Sequence, residues 1–236
     1  MGERLFAIGD IHGCAAELET LLRGLPLGAG DTVVFIGDYL DRGPDSARVV
    51  DLVLELEQRT DVNTVCLKGN HEDMCLAFMG SPGRGGEIWV KSGGAAALAS
   101  YGLDARAGAA EFAAALPATH LAFLQRLEKW HEAGAHLFVH AGIHPGRPLA
   151  QQDDGDLFWI REPFLGQPHP LPLTVVYGHT PHREPSVDLP YKVGIDTGCV
   201  YGGALTALDA AEGWIFQVRR GERKVRERAL GGGTRH

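Results

Sequence analysis

The sequence predicts an α/β fold in which a β-sandwich of two mixed sheets is flanked by helices, and three observations predict it. Short apolar segments rich in β-branched residues recur along the chain at strand length. In the first third of the chain these segments alternate with stretches of helical length, which favours a sheet containing parallel strands. After Val139 they follow one another more closely, which favours a second, more antiparallel sheet.

The first third of the chain supplies predicted strands that are each followed by a predicted helix. Pro44 suits the first position of the second helix, because proline lacks the backbone N–H that would be unpaired there. The predicted strands are residues 5–8, 32–36 and 62–67, and the predicted helices are residues 15–23, 44–58 and 71–79.

The rest of the chain supplies an insertion and further strands. Residues 80–131 are rich in alanine and glycine and contain no catalytic motif. We interpret them as a helical cap insertion, with a packing insertion that does not contact substrate as the alternative. The predicted strands that follow are residues 137–139, 173–177, 192–195, 204–208 and 214–218.

Length and composition predict a single domain over residues 1–218. A chain of 236 residues with 44% apolar and 22% charged residues can bury one substantial core. Residues 219–236 are basic, alternate with glutamate and run into a glycine stretch, so we expect a flexible tail there.

Charge and cysteine usage narrow the class of protein. The net charge of -8 argues against a general nucleic-acid or membrane surface, since a phosphate-backbone binder should show a basic excess. No apolar run approaches the length of a spanning helix, and no secretion leader follows Met1. The four cysteines lack a paired CxxC spacing. We therefore expect a cytoplasmic protein with reduced thiols.

Six polar side chains lie where predicted strands end, in short glycine-containing stretches. Strand ends are where open α/β sheets hold their ligands, so we expect these side chains to converge. They form a nitrogen and oxygen set without thiolate, which suits Mn, Fe or Zn. Paired ions about 3.5–4 Å apart serve in-line displacement at phosphorus. The six candidate metal ligands are Asp10, His12, Asp38, Asn70, His140 and His179.

The stretches that contain these residues resemble the signature of the phosphoprotein phosphatase family of metallophosphoesterases. The chain contains GDIHG at residues 9–13, GDYLDRG at residues 37–43 and GNHE at residues 69–72. The GHT stretch at residues 178–180 is similar to that of the bacterial and phage branch, which includes the phage lambda protein phosphatase. The resemblance implies a calcineurin-like metallophosphoesterase fold.

The resemblance also implies a role for each ligand. Asp10, His12 and Asp38 would hold the first metal, and Asp38 would bridge to a second. The remaining ligands of the second metal would be Asn70, His140 and His179. The expected cofactor is a pair of divalent ions, with Mn favoured and Fe or Zn as alternatives. A hydroxide bridging them would attack phosphorus directly, because metal binding can lower the pKa of water to about 7.

Four further side chains match catalytic positions of the family. His71 matches the histidine that protonates the leaving group, and Asp41 matches the carboxylate that orients it. Arg42 and Arg161 match arginines that bind the substrate phosphate together with Asn70. Planar guanidinium groups suit this task because they bind phosphate oxygens in a bidentate manner.

The resemblance predicts a serine/threonine protein phosphatase that acts on a phosphoprotein or phosphopeptide. Two alternatives stay open: a symmetrical diadenosine tetraphosphatase, and a non-catalytic pseudoenzyme that binds phosphoproteins. Asp41, Glu72 and the GHT stretch favour the phosphatase over the first alternative. The tetraphosphatases usually lack this aspartate and have a different context around the last histidine. The complete ligand set argues against the second alternative.

Overall fold

The computed structural model describes residues 3–231, which form two mixed β-sheets flanked by helices, and the predicted fold class is confirmed. The strands are β1 (Leu5–Ile8), β2 (Thr32–Phe35), β3 (Asn63–Cys66), β4 (Trp130–Ala133), β5 (His136–Val139), β6 (Thr174–Tyr177), β7 (Ser186–Asp188), β8 (Lys192–Gly194), β9 (Ala204–Asp209), β10 (Trp214–Arg219) and β11 (Arg226–Ala229). The α-helices are α1 (Ala15–Gly24), α2 (Ser46–Glu57), α3 (Asn70–Phe78), α4 (Gly94–Ser100), α5 (Ala109–Ala115), α6 (Ala118–Gln125) and α7 (Asp154–Trp159).

The first sheet has the strand order β11-β10-β9-β1-β2-β3. Strands β1, β2 and β3 are parallel, whereas β9, β10 and β11 extend the sheet in antiparallel pairs beyond β1. Every residue of β9 is buried, which fits its place beside β1 in the middle of the sheet. The expectation that residues 204–208 and 214–218 belong to the second sheet is therefore wrong.

The second sheet has the order β4-β5-β6-β8-β7. Its three central strands are parallel, and only its outer pairs, β4 with β5 and β7 with β8, are antiparallel. The expectation of a mainly antiparallel second sheet is thus also wrong. Parallel neighbours need a long connection between them. The segments between β5 and β6 and between β6 and β8 are long enough, although the second of them contains no α-helix.

The two faces of β1 show how the layers pack. Phe6 and Ile8 point towards the helices, where they join a core that includes Leu18 of α1. Ala7 points the opposite way and belongs to a second core shared with Phe138 of β5. Because side chains alternate along a strand, the first sheet contributes one face to the helices and the other to the sandwich interior.

The insertion at residues 80–131 contains α4, α5 and α6, together with 3-10 turns at Gly86–Ile88 and Val90–Ser92. Its last two residues begin β4. The predicted flexible tail, residues 219–236, includes β11, which pairs with β10. For Arg226–Ala229 the expectation of a flexible end is therefore wrong, and residues 232–236 of this tail lie outside the described residues. None of the helices within residues 3–231 combines the length and the apolar composition that a membrane span requires.

Candidate active site

The loops that carry the candidate ligands meet at one edge of the sandwich. Asp10 follows β1, Asp38 follows β2 and Asn70 opens α3 after β3. These three strands are adjacent and parallel, so their carboxyl ends reach the same edge of the first sheet. His140 and His179 follow β5 and β6, which are adjacent parallel strands of the second sheet. Both sheets therefore contribute to one site.

Asp38 lies at the centre of the cluster. Its Oδ2 is 3.3 Å from His12 Nε2, and its Oδ1 is 3.4 Å from His140 Nε2. The backbone N–H of His71 donates to Oδ1 at 3.1 Å. Because the two carboxylate oxygens face different histidines, this side chain can contribute to two neighbouring ion sites.

A second group of ligand atoms surrounds Asn70. Its Oδ1 is 3.0 Å from His140 Nε2 and 2.9 Å from His179 Nδ1. Both oxygens of Asp10 accept from the backbone N–H of His179, at 3.1 and 3.2 Å. The structure thus brings together all six side chains that the sequence singled out as candidate ligands.

Hydrogen bonds to backbone carbonyls fix the tautomer of two histidines in the cluster. His12 Nδ1–H donates to the carbonyl of Leu40 at 2.8 Å, and His140 Nδ1–H donates to the carbonyl of Ile36 at 2.9 Å. The Nε2 atom of each ring is therefore left with its lone pair directed at Asp38. Such bonds to backbone carbonyls are how metal-binding histidines are commonly oriented.

The donor set fits divalent metal ions. The ligand atoms of Asp10, Asp38 and His140 lie within 4.8 Å of one another, and so do those of His12, Asp38 and His71. Acceptor atoms converge here with few hydrogen-bond donors among them, an arrangement that a cation stabilises. Arg42 Nη1–H donates to His12 Nε2 at 2.6 Å, so Arg42 would have to release this contact when His12 binds an ion.

Burial and charge hold the three histidine ligands and Asp38 in the protonation states that bind metal, whereas burial raises the pKa of Asp10. Burial lowers the pKa of His12 and of His179 to about 3 each, and it also lowers the pKa of His140. The rings are therefore neutral at pH 7 and retain a lone pair. Burial raises the pKa of Asp38, but the surrounding histidines outweigh burial and hold the pKa of this carboxyl well below its usual range.

His71 is held beside the cluster by Asp41. Its Nδ1–H donates to Asp41 Oδ2 at 2.6 Å, and the same oxygen accepts from Trp89 Nε1–H at 2.8 Å. Burial lowers the pKa of His71, but the carboxylates of Asp38 and Asp41 outweigh it and raise the pKa above the ordinary value. The ring is thereby biased towards the protonated form. The role of Trp89 was not evident from the sequence, since this tryptophan lies 48 residues from Asp41.

Glu72 stabilises the loop after β2. Its carboxylate accepts from the backbone N–H groups of Asp38 and Gly69 at 2.8 and 3.0 Å, and from those of Tyr39 and Leu40 at 2.9 and 3.1 Å. The side chain is fully buried and does not line the cavity of the site. Its position in the GNHE stretch thus reflects support of the loop backbone.

The backbone of the site is strained. Among residues 3–231, the non-glycine residues with a positive φ are His12, Asp38, Asp41, Arg42 and His179. Their φ values lie between 45° and 75°, in the left-handed region that costs a non-glycine residue about 1–3 kcal/mol. All are candidate site residues.

A cavity of about 250 Å³ opens over the cluster. Asp38, Asn70 and His71 line its floor, and both predicted phosphate-binding arginines, Arg42 and Arg161, line it as exposed side chains. The insertion contributes further lining residues, so it borders the site. These lining residues of the insertion are Ile88 and Ser92.

Comparison with known proteins gives a consistent family assignment. The family described as calcineurin-like phosphoesterase matches residues 3–207. Proteins named bis(5'-nucleosyl)-tetraphosphatase PrpE [asymmetrical] from Anoxybacillus flavithermus and Oceanobacillus iheyensis are each 31% identical to this chain. The alignments cover 85% of this chain, and 88% and 86% of the two relatives.

Solved structures also resemble this chain. A crystal structure of a putative diadenosine tetraphosphatase has a TM-score of 0.71 and 29% identity, and the match covers 92% of this chain and 94% of that one. A protein serine/threonine phosphatase from Saccharomyces cerevisiae has a TM-score of 0.58 over 99% of this chain and 81% of its own. Its identity of 14% reflects the shared fold alone.

The prediction of a serine/threonine protein phosphatase is wrong by these findings, because relatives that are 31% identical over most of both chains are named tetraphosphatases, and a structure that is 29% identical is described as a putative diadenosine tetraphosphatase. The physical reason is visible in the site. Asp41 contacts His71 and Trp89, and Glu72 contacts backbone N–H groups. Neither carboxylate is placed to contact a substrate, so neither distinguishes a phosphoprotein from a nucleotide.

Proposed function

This chain belongs to the calcineurin-like phosphoesterase family and is a metallophosphoesterase, and from that premise we propose that it hydrolyses bis(5'-nucleosyl) tetraphosphates asymmetrically. The observation that carries the choice of substrate is the name shared by relatives that are 31% identical and aligned over most of both chains. Asymmetrical cleavage of a four-phosphate bridge gives a nucleoside monophosphate and a nucleoside triphosphate. The earlier alternative assumed symmetrical cleavage, which these names do not support.

The residues proposed to hold the metals are those gathered around Asp38. Asp10, His12 and Asp38 would hold one ion, and the other would be held by Asp38, Asn70, His140 and His179. Mn is the favoured metal, with Fe or Zn as alternatives, because all three accept a nitrogen and oxygen ligand set. When bound, two divalent ions supply positive charge beside the phosphate and lower the pKa of the water that serves as nucleophile.

His71 is proposed to donate a proton or hydrogen bond to the leaving oxygen. Asp41 holds its Nδ1–H at 2.6 Å, which turns the opposite ring nitrogen away from Asp41. A leaving phosphate with a second pKa of about 6 is a much weaker base than an alkoxide. Full proton transfer is therefore less important here than in the cleavage of an alkyl ester, and His71 serves to neutralise the charge that develops.

Arg42 and Arg161 are proposed to neutralise phosphate oxygens of the bridge. Both guanidinium groups line the cavity above the cluster. A four-phosphate bridge carries several negative charges, and bidentate arginine contacts offset such charge as the transition state forms.

The test is product analysis. The purified protein, supplied with Mn²⁺, is incubated with diadenosine tetraphosphate, and the products are separated by anion-exchange chromatography. We expect adenosine monophosphate and adenosine triphosphate in equal amounts. Adenosine diphosphate as the sole product would contradict asymmetrical cleavage.

A phosphoserine peptide and p-nitrophenyl phosphate are assayed in parallel with the dinucleotide. A higher kcat/KM for the peptide than for the dinucleotide would overturn the choice of substrate. No turnover of any of the three at any Mn²⁺ concentration would instead support the pseudoenzyme that the sequence left open.

A further inference from the structure

We propose that a second cavity, which adjoins the candidate active site, binds the nucleoside polyphosphate portion of the substrate that extends away from the reacting phosphorus. The proposal rests on the proposed function, because it names where the far end of a dinucleoside tetraphosphate lies. We call this space the distal cavity. The lining residues on which the argument depends are Pro181, Arg183, Glu184, Thr197, Tyr201 and Arg219.

The distal cavity is continuous with the site. Pro181 and Tyr201 line both cavities. Asp196 lines the site cavity, and the next residue, Thr197, lines the distal cavity. A ligand with one phosphate over Asp38 can therefore extend past Tyr201 without crossing the protein interior.

The size of the distal cavity suits a nucleotide. Its volume is about 860 Å³, compared with about 250 Å³ for the cavity over the cluster. Sites for small molecules have volumes of roughly 300–1,000 Å³. The smaller cavity suits the reacting phosphate and its immediate neighbours, whereas a molecule with two nucleosides needs further space, and the distal cavity provides it.

The charge of the distal cavity favours phosphate. Arg183 and Arg219 are exposed side chains on its wall, and neither has an ion pair or side-chain hydrogen bond with another residue of the described chain. Glu184 also lines the cavity, but Arg228 donates to it at 2.7 Å and offsets its charge. The cavity therefore has a positive excess on a protein whose net charge is -8. Unpaired guanidinium groups are suited to bind a polyphosphate.

Tyr201 supplies an aromatic surface between the two cavities. Its side chain is 63% exposed, although large aromatic residues are usually buried. The guanidinium of Arg42 lies over the ring, 5.6 Å from its centroid. Gly198 and Gly202, with φ of 65° and 92°, flank the 3-10 turn that presents this tyrosine. A base can stack on an exposed ring of this kind, and such stacking tolerates any base.

The test compares a substrate that reaches the distal cavity with one that does not. Steady-state kinetics of the Mn²⁺-loaded protein are measured with diadenosine tetraphosphate and with p-nitrophenyl phosphate. For Arg183→Ala and Arg219→Ala we expect KM for the dinucleotide to rise about tenfold, since each removes a charge-assisted contact to phosphate. The kcat for the dinucleotide should stay within about twofold, and so should kcat/KM for p-nitrophenyl phosphate.

Three further variants complete the kinetic comparison. Tyr201→Phe keeps the aromatic ring and should retain the KM for the dinucleotide, whereas Tyr201→Leu should raise it. Arg23→Ala is the matched control, since Arg23 lies on α1 and its side chain is 75% exposed. This variant should leave the kinetic constants for both substrates unchanged. An unchanged KM for the dinucleotide in both cavity arginine variants would overturn the proposal. An equal loss of kcat/KM for the dinucleotide and for p-nitrophenyl phosphate would also overturn it.

A binding measurement separates this proposal from the proposed function. Adenosine triphosphate is titrated into the Mn²⁺-loaded wild-type protein and the two arginine variants by isothermal titration calorimetry. Weaker binding to both variants supports the distal cavity even when diadenosine tetraphosphate is not cleaved. Equal binding to all three proteins overturns the distal cavity even when the dinucleotide is cleaved asymmetrically.

Discussion

Asp38 is the side chain on which the candidate metal site depends most. Its two oxygens face His12 and His140, at 3.3 and 3.4 Å. Asp38 is also the residue shared by the two groups of ligand atoms that lie within 4.8 Å of one another, Asp10, Asp38 and His140 in one and His12, Asp38 and His71 in the other. A single substitution at this residue therefore affects both proposed ions.

Replacing Asp38 by asparagine should reduce the metal content strongly. The variant keeps the size of the side chain but loses the negative charge that offsets two cations. Metal is measured by elemental analysis after dialysis against Mn²⁺ and then against buffer. Metal content equal to that of the wild-type protein would contradict the bridging role of Asp38.

Replacing His71 by asparagine should slow turnover while metals stay bound. A positioned acid contributes typically ~10²- to 10⁴-fold, and we expect a value near the lower end with a phosphate leaving group. The measurement is kcat for diadenosine tetraphosphate, together with elemental analysis of the same preparation. A variant that loses its metal would place His71 among the ligands instead.

Replacing Gly69 by alanine should displace the carboxylate of Asp38 without replacing any proposed ligand. A Cβ at Gly69 would lie 2.1 Å from Asp38 Oδ1 and 2.5 Å from the backbone nitrogen of Asp38, so the loop must shift. We expect lower metal content and turnover than in the wild-type protein. Gly108→Ala, where a Cβ meets no atom within 4 Å, is the matched control and should leave both unchanged.

At the scale of elements, α3 stabilises the loop after β2 through Glu72. Four backbone N–H groups share one buried carboxylate, so the loop that carries Asp38 and Asp41 is fixed by the first turn of the helix. A hydrogen bond between neutral groups contributes about 0.5–1.5 kcal/mol, and one to a charged group contributes about 1.5–3 kcal/mol. The strained φ values of Asp38 and Asp41 persist because this contact holds the loop.

Replacing Glu72 by glutamine should lower the free energy of unfolding by about 2–3 kcal/mol, because the amide nitrogen would face backbone donors. Urea denaturation followed by circular dichroism measures the change. Glu111→Gln is the control, since Glu111 accepts a single N–H from Gly108 at 3.1 Å on the protein surface. An equal decrease in the free energy of unfolding in both variants would show that the buried position of Glu72 adds nothing to the stability of the protein.

The sequence predicted the ligand-bearing strands well because their signal is local. Strand β1 matches the prediction of residues 5–8, and β2 ends one residue before the prediction of 32–36. Strand β4 was missed because Trp130–Ala133 is half exposed and lacks apolar alternation. The sheet assignment of β9 was missed because it depends on pairing with β1, about two hundred residues away in sequence.

At the scale of the whole molecule, the site joins the two sheets. Asp38 and Asn70 come from loops of the first sheet, and His140 and His179 come from loops of the second. Ions bound by both sets would link the two layers of the sandwich. The sequence indicated the ligand set but not the substrate, because the shape of the cavities depends on how these layers and their loops pack.

Metal binding should therefore raise the melting temperature. An ion that binds only the folded protein, at about a hundred times its Kd, contributes about 2.7 kcal/mol. For a chain of this size this corresponds to roughly 5–10 °C. Differential scanning calorimetry with excess Mn²⁺ and after treatment with EDTA measures the shift. Asp38→Asn should show little shift, and a wild-type protein that melts at the same temperature in both conditions would contradict the linkage.

Selecting variants of the metal-free protein for heat resistance alone would damage the enzyme. Glycine adopts the left-handed backbone without steric cost, so a glycine at any of the five strained positions would relieve local strain. The same exchange would delete a proposed metal ligand, an arginine proposed to bind phosphate, or the partner of His71. A screen that scores only survival of the metal-free protein on heating would thus enrich stable, inactive proteins, and a useful screen must also score turnover. The positions concerned are His12, Asp38, Asp41, Arg42 and His179.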